Sequence, residues 1–155
     1  MRSLSIFLLI AGLSFLALPD ASSQEPFNLE DYEVNLENGE ELFKINCATC
    51  HNKNMQDPMT GPALGGTIER WSEYPEEDLF QWIRNSQAMI QEGHPRAEKL
   101  WDEWKPTVMN ANTGLTDQEI VDILGYVNAV HEGEYGATAE ADQEAASAAD
   151  QEQEK

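Results

Sequence analysis

Five consecutive residues, Cys47-Ala48-Thr49-Cys50-His51, place two thiols and an imidazole within little more than one helical turn. Thiols this close can form a disulfide, act as a redox dithiol, ligate zinc or attach a cofactor covalently. A thioredoxin-like dithiol requires a strand–helix setting, and no convincing strand pattern occurs in the sequence. A structural zinc site requires four ligands, and the chain has no second cysteine pair. Covalent attachment of a cofactor is therefore the favoured chemistry.

The Cys-x-x-Cys-His spacing is the attachment signature of a c-type haem. Each thiol adds across one of two vinyl groups on adjacent pyrrole rings, and two intervening residues let a single turn reach both. The histidine that follows is carried under the iron, where a ring nitrogen coordinates. The sequence therefore predicts one covalent haem c, with its iron, held by Cys47 and Cys50 and ligated by His51.

The elements that must position this motif have helical patterns. We expect a first helix that is capped by Asn38 and runs into Cys47, followed by a loop from Asn52 to Thr67. A second helix is expected after Pro75, and a third from Pro95 to Pro106. A last helix is expected to begin with the capping box of Thr116 and Glu119 and to end at Gly133. The last is the clearest, because apolar residues recur at helical spacing on one face. The predicted fold class is all-α, a small helical domain wrapped around one covalent haem.

The region from about 38 to 132 resembles class I c-type cytochromes, and we take it as a cytochrome c-like domain. The resemblance begins at Gly39 and Phe43, ahead of the haem motif. In that family a glycine and an aromatic residue at these places let the first and last helices cross closely. The resemblance implies that the crossing partner is the face around Gly125 and Tyr126.

Gly61-Pro62-Ala63-Leu64 matches the Gly-Pro-x-Leu loop that follows the haem histidine in this family. The resemblance implies that the Pro62 carbonyl accepts the second ring proton of His51 and that Leu64 packs on the haem. We expect all four tryptophans in the core and haem pocket, with Trp71 donating to a haem propionate, and Arg70 or Arg84 pairing with one.

Several residues are candidates for the sixth iron ligand. The candidates are Met55, Met59, Met89, Met109, His94 and His131. The resemblance implies Met109, because the family places its ligand methionine in a loop ahead of the last helix. One departure is that Asn110 follows Met109 where the family usually has proline. Met89 and His94 remain the alternatives.

The ends of the chain differ in composition from its centre. An apolar run from Leu4 to Leu18 follows Arg2, which predicts a signal peptide over residues 1–23 and hence export. Residues 24–37 are predicted to be an acidic linker, and 133–155 a disordered acidic tail. The only direct membrane attachment left open is an uncleaved signal segment, since the run falls a few residues short of a span.

The chain has nine Lys and Arg against 29 Asp and Glu, for a formal net charge of −20. This charge excludes a nucleic-acid-binding surface and favours redox partner proteins with basic docking surfaces. No nucleophile, base and orienting acid form a catalytic set, so we do not expect an enzyme. The resemblance implies a periplasmic or otherwise extracytoplasmic electron carrier of a bacterial respiratory chain. A five-coordinate haem sensor and a haem-bearing docking subunit of a larger complex are the alternatives.

Overall fold

The computed structural model describes residues 25–136, and every regular element within that range is helical. A 3-10 helix at Leu29–Asp31 precedes α1 (Leu36–Asn46), α2 (Thr67–Trp71), α3 (Glu76–Glu92), α4 (Pro95–Trp104) and α5 (Asp117–His131). None of these helices is long and apolar enough to cross a membrane. The all-α prediction is confirmed. The predicted signal segment and all but the first residues of the predicted tail lie outside the described range.

Helices α1 and α5 form the most extensive helix–helix contact of the domain. Gly39 lies directly on α5, since a Cβ atom at this position would be 2.0 Å from the carbonyl oxygen of Asp122. Phe43 is fully buried one turn further along, with its ring 5.5 Å from that of Tyr126. Gly125, which we expected at the same crossing, instead accommodates Val34: a Cβ on Gly125 would be 2.3 Å from Val34 Cγ1.

Helix α1 begins at Leu36, so the prediction that Asn38 caps it was wrong. Asn35 is the N-cap, and its side chain accepts a hydrogen bond of 3.0 Å from the Asn38 backbone N–H. The Asn38 side chain instead donates to Asp122 of α5 at 2.8 Å. Buried Asp122 also accepts from the Asn35 N–H at 3.0 Å and from Gln118 at 2.9 Å. One carboxylate of α5 therefore anchors the start of α1.

The segment that precedes α1, which we expected to be an acidic linker, packs on the core. Phe27 is 6 % exposed, and its ring lies 5.6 Å from both Phe80 and Tyr32. The Tyr32 hydroxyl donates to Glu76 at 2.7 Å. The sequence offered few apolar anchors here and therefore predicted a linker or loosely packed strap. In the structure these anchors, Phe27, Leu29, Tyr32 and Val34, all pack on the core.

The starts of the three later long helices are confirmed. Helix α3 follows Pro75, α4 has Pro95 in its first turn, and α5 begins with the reciprocal capping box of Thr116 and Glu119. Helix α2 was not predicted, because five residues are too few to show a helical period. Helix α3 contains one non-helical residue, Asn85, with φ −156° and ψ 75°.

The first residues of the predicted tail belong to the folded domain. The Tyr135 ring stands edge-on to Tyr126, with centroids 5.4 Å apart. Its hydroxyl donates to Glu40 of α1 at 3.0 Å. These contacts extend the packed domain past Gly133.

Candidate functional site

A cavity of about 480 Å³ opens between the five α-helices and the loops that join them. All four tryptophans line it: Trp71, Trp82, Trp101 and Trp104. Apolar residues of α5 form its floor, namely Ile123, Leu124 and Val127. The cavity therefore offers an apolar, largely aromatic surface to whatever it binds.

The two thiols reach the cavity from the end of α1. Cys47 is the C-cap of α1, and its carbonyl accepts from the backbone N–H groups of Cys50 and His51 at 3.1 and 3.0 Å. This turn places all three residues in the lining of the cavity. Burial, with a smaller effect of Cys50, raises the pKa of Cys47 to about 11. A redox dithiol needs a thiolate near neutral pH, so this environment does not favour that chemistry.

His51 is 7 % exposed, and its orientation is fixed by the loop beneath it. Its Nδ1 lies 2.8 Å from the Pro62 carbonyl oxygen, to which it donates. Gly61 lies against the ring, since a Cβ there would be 2.7 Å from His51 Cε1. Burial lowers the pKa of His51, and the Pro62 carbonyl partly opposes this effect. Leu64 lines the cavity on the same loop.

Among the four described methionines, Met109 is the one that lines the cavity. It is half-buried on the loop between α4 and α5. Met89 is 3 % exposed and packs inside the core. Met55 is fully buried behind Phe43, and Met59 is 49 % exposed.

The two histidine alternatives lie away from the cavity lining. His94 caps α4, accepting from the Ala97 N–H at 3.4 Å through Nδ1. Its Nε2 is 3.1 Å from the Asp78 carboxylate, so both ring nitrogens have partners. The Nδ1 of His131 is buried beside Gly65, without a hydrogen-bond partner in the described part of the chain.

Arg84 does not line the cavity, which corrects the suggestion that it pairs with a propionate. Its Nε donates to the Leu115 carbonyl at 3.0 Å, and its guanidinium pairs with Asp117 at the start of α5. Arg70 does line the cavity. It also ties the neighbouring loop by donating to the carbonyls of Ala63 and Gly65 at 3.1 and 2.6 Å.

Two polar atoms buried at the cavity lack hydrogen-bond partners within residues 25–136: Ser86 Oγ and Arg96 Nε. The Arg96 guanidinium lies over the Trp71 ring at 5.9 Å, and partial burial and the charge of Arg96 lower the pKa of Arg70. Arg70, Arg96 and Lys99 all line the cavity, and none of them forms an ion pair within the same range. Unpaired cations in so acidic a chain suit an anionic ligand group.

The residues present therefore fit a haem c. Two thiols, an imidazole, a thioether, apolar walls and unpaired cations for the propionates surround one cavity. Sequence reasoning missed Ser86 and Arg96. Each has an ordinary helical context, and only the packing of α3 and α4 directs them to the cavity.

A family model described as "Cytochrome c" matches residues 36–131, more than half of the chain. Cytochrome c-555 of Prosthecochloris aestuarii is 29 % identical over 100 residues, which cover 64 % of this chain and 90 % of that protein. The solved structure of a cytochrome c from Rhodothermus marinus is 28 % identical, with a TM-score of 0.51, over 63 % of this chain and 78 % of that one. With the motif and the helical fold, these matches show that the chain belongs to the cytochrome c family, as a class I c-type cytochrome.

Proposed function

We propose that this cytochrome transfers single electrons through one covalent haem c whose iron is ligated by His51 and Met109. The observation that carries the proposal is that one cavity is lined by both motif thiols, by His51 and by Met109. Proteins of this family carry a covalently bound haem c with iron. When bound, that group supplies a one-electron redox centre.

Cys47 and Cys50 would hold the group through thioether bonds, and His51 would supply an iron-ligating nitrogen. Because Nδ1 of His51 donates to Pro62, its Nε2 carries the free lone pair. The hydrogen bond fixes the ring orientation and makes the imidazole a stronger donor to the metal. The lowered pKa of His51 keeps the ring neutral, as a ligand must be.

Met109 would supply a thioether ligand, which favours reduced iron and raises the potential. An iron held by both side chains would leave no position for a substrate, so the group would supply outer-sphere electron transfer. The tryptophan-lined walls exclude water from the iron ligands. Arg70 and Arg96 would pair with the propionates, and the Arg96 guanidinium lies over the ring of buried Trp71.

We further propose that the protein works outside the cytoplasmic membrane with respiratory redox partners that present basic surfaces. The net charge of −20 supports this, because long-range attraction steers an acidic carrier onto a basic partner. Transient redox encounters use small interfaces, which suits rapid exchange of partners. The rate of electron transfer to such a partner is expected to fall steeply as salt rises.

The test of the axial ligands is an absorption spectrum of the haem-loaded protein, oxidised and reduced. We expect wild type to be low-spin, with a methionine–iron band near the red end of the ferric spectrum, and Met109→Ala to lose that band and bind carbon monoxide. Met59→Ala is the matched control, because its side chain is exposed and lies outside the cavity. A high-spin wild type would favour the five-coordinate sensor, and an unchanged Met109→Ala would transfer the role to another residue.

A further inference from the structure

The loop that carries Met109 has no proline after the methionine, and Asn110 stands there instead. Hydrogen bonds from Asn112 to α3 hold this loop in place. The backbone N–H of Asn112 donates to the Arg84 carbonyl of α3 at 2.8 Å, and the Asn112 side-chain amide donates to the Ile83 carbonyl at 3.2 Å. Asn112 therefore joins the Met109 loop to two consecutive carbonyls of another helix.

Carbonyls within a helix are normally occupied by the N–H group four residues later. Here Asn85 interrupts α3, with φ −156° and ψ 75°. The N–H of Ala88, which in a regular helix donates to the Arg84 carbonyl, donates to the Asn85 side chain at 3.2 Å. The interruption thus frees the Arg84 carbonyl, and Asn112 satisfies it.

The Arg84 side chain adds contacts from α3 to the end of the Met109 loop and to the start of α5. Its Nε donates to the Leu115 carbonyl at 3.0 Å, and its guanidinium pairs with Asp117. The Leu115 N–H donates in turn to the Asn112 carbonyl at 3.1 Å. The Asp117 side chain is exposed, so the ion pair itself contributes little, and the hydrogen bond from Arg84 Nε to the partly buried Leu115 carbonyl is the stronger part of this contact.

We propose that Asn112 and Arg84 are positioning residues for the sixth iron ligand. Together they hold the loop against the break in α3, a contact that we call the clasp, and so keep Met109 in the cavity. The proposal rests on the function proposed above, because it requires Met109 to bind the iron. Neither residue touches the iron in this role. Their effect is on how firmly the thioether is held, and hence on how easily another ligand displaces it.

The test is Asn112→Ala in the haem-loaded protein, with Asn110→Ala as the matched control. Asn110 is two positions away on the same loop, is exposed, and makes no side-chain hydrogen bond within residues 25–136. Three quantities are measured: the carbon monoxide binding rate of the ferrous protein, the temperature at which the ferric methionine–iron band disappears, and the temperature at which helix is lost.

Asn112→Ala removes the side-chain bond to the Ile83 carbonyl of α3 and a second, of 3.3 Å, to the Asn110 carbonyl within the loop. Loss of the bond to α3 shifts the balance between bound and released thioether about fivefold. We therefore expect about fivefold faster carbon monoxide binding for Asn112→Ala, and loss of the band below the helix-melting temperature. Asn110→Ala should stay within about twofold of wild type. Arg84→Lys keeps the charge opposite Asp117 but loses the Leu115 bond, so it provides the same test if Asn112→Ala does not fold.

Equal rates for Asn112→Ala and Asn110→Ala, with band and helix lost together, would overturn the clasp. Met109→Ala separates this failure from failure of the ligand assignment. If Met109→Ala loses the band while the two asparagine variants are indistinguishable, Met109 remains the ligand and only the clasp is refuted. If the band survives in Met109→Ala, both proposals fall.

Discussion

The contact between α1 and α5 gives the sharpest stability prediction. In Gly39→Ala the new methyl group would be 2.0 Å from the Asp122 carbonyl oxygen, 2.6 Å from its carbonyl carbon and 2.9 Å from Tyr126 Cβ. Two of these atoms are backbone, so no rotamer change relieves the clash. The helices must move apart, and that movement pulls on the hydrogen bonds that Asp122 accepts from Asn35 and Asn38.

The magnitude follows from two opposing effects. Overpacking costs about 1–3 kcal/mol, and the rigid backbone neighbours place Gly39→Ala at the upper end of that range, about 3 kcal/mol. Alanine recovers about 1 kcal/mol over glycine within a helix, which leaves a net loss of about 2 kcal/mol. Each kcal/mol lowers the melting temperature of a domain of this size by at least about 4 °C, so we expect a decrease of about 8 °C or more.

The matched control is Gly114→Ala. Nothing lies within 4 Å of a Cβ at Gly114, and its φ is not in the left-handed region. This change should be neutral or stabilise the fold by up to about 1 kcal/mol, through the unfolded chain. Both variants are melted as ferric holoproteins and followed by far-ultraviolet circular dichroism. A Gly39→Ala melting temperature within about 3 °C of that of Gly114→Ala would refute the idea that this crossing is rigid.

Three further predictions concern other regions. Thr116→Ala removes the hydroxyl of the α5 capping box with Glu119 and should cost about 1 kcal/mol in the free energy of unfolding, measured by denaturant titration. The hydrogen bond to Glu76, assisted by burial, raises the pKa of Tyr32 from 10.0 to about 12. The stabilisation that this hydrogen bond gives the fold is therefore present below pH 10 and lost as the pH rises to about 12. Wild type should therefore lose more stability between pH 9.5 and 11.5 than Tyr32→Phe; equal losses would contradict the assignment. Removal of residues 137–155 should leave the haem spectrum unchanged and alter only the kinetics with a basic partner; impaired haem incorporation would show that the tail has a structural role.

Structural features that depend only on contacts among neighbouring residues could be predicted from the sequence. The reciprocal capping box of Thr116 and Glu119 and the first-turn proline of α4, Pro95, involve contacts within one turn, and the structure has both. The contact between His51 and Pro62 was also expected, though from family resemblance, because the two residues are eleven positions apart. Local chemistry and a known loop pattern sufficed for these features.

The features that sequence reasoning missed depend on partners far away in the chain. Asn38 is a residue type that often caps helices, but its side chain donates a hydrogen bond to Asp122, 84 positions later. Asn35 caps the helix in its place. Arg84 was a reasonable propionate partner until the start of α5 was found beside it, 33 positions away. No helical period or turn signal carries such information, since it comes from how the helices pack.

The position of Phe27 bears on how this protein can be divided into parts. The region shared with the family begins at Leu36, the first residue of α1. A domain transplant or fusion limited to that region would discard the Asn35 cap and expose the face of Phe80 that Phe27 covers. A module that keeps these contacts is therefore longer than the homologous region and has to include Phe27 and Asn35.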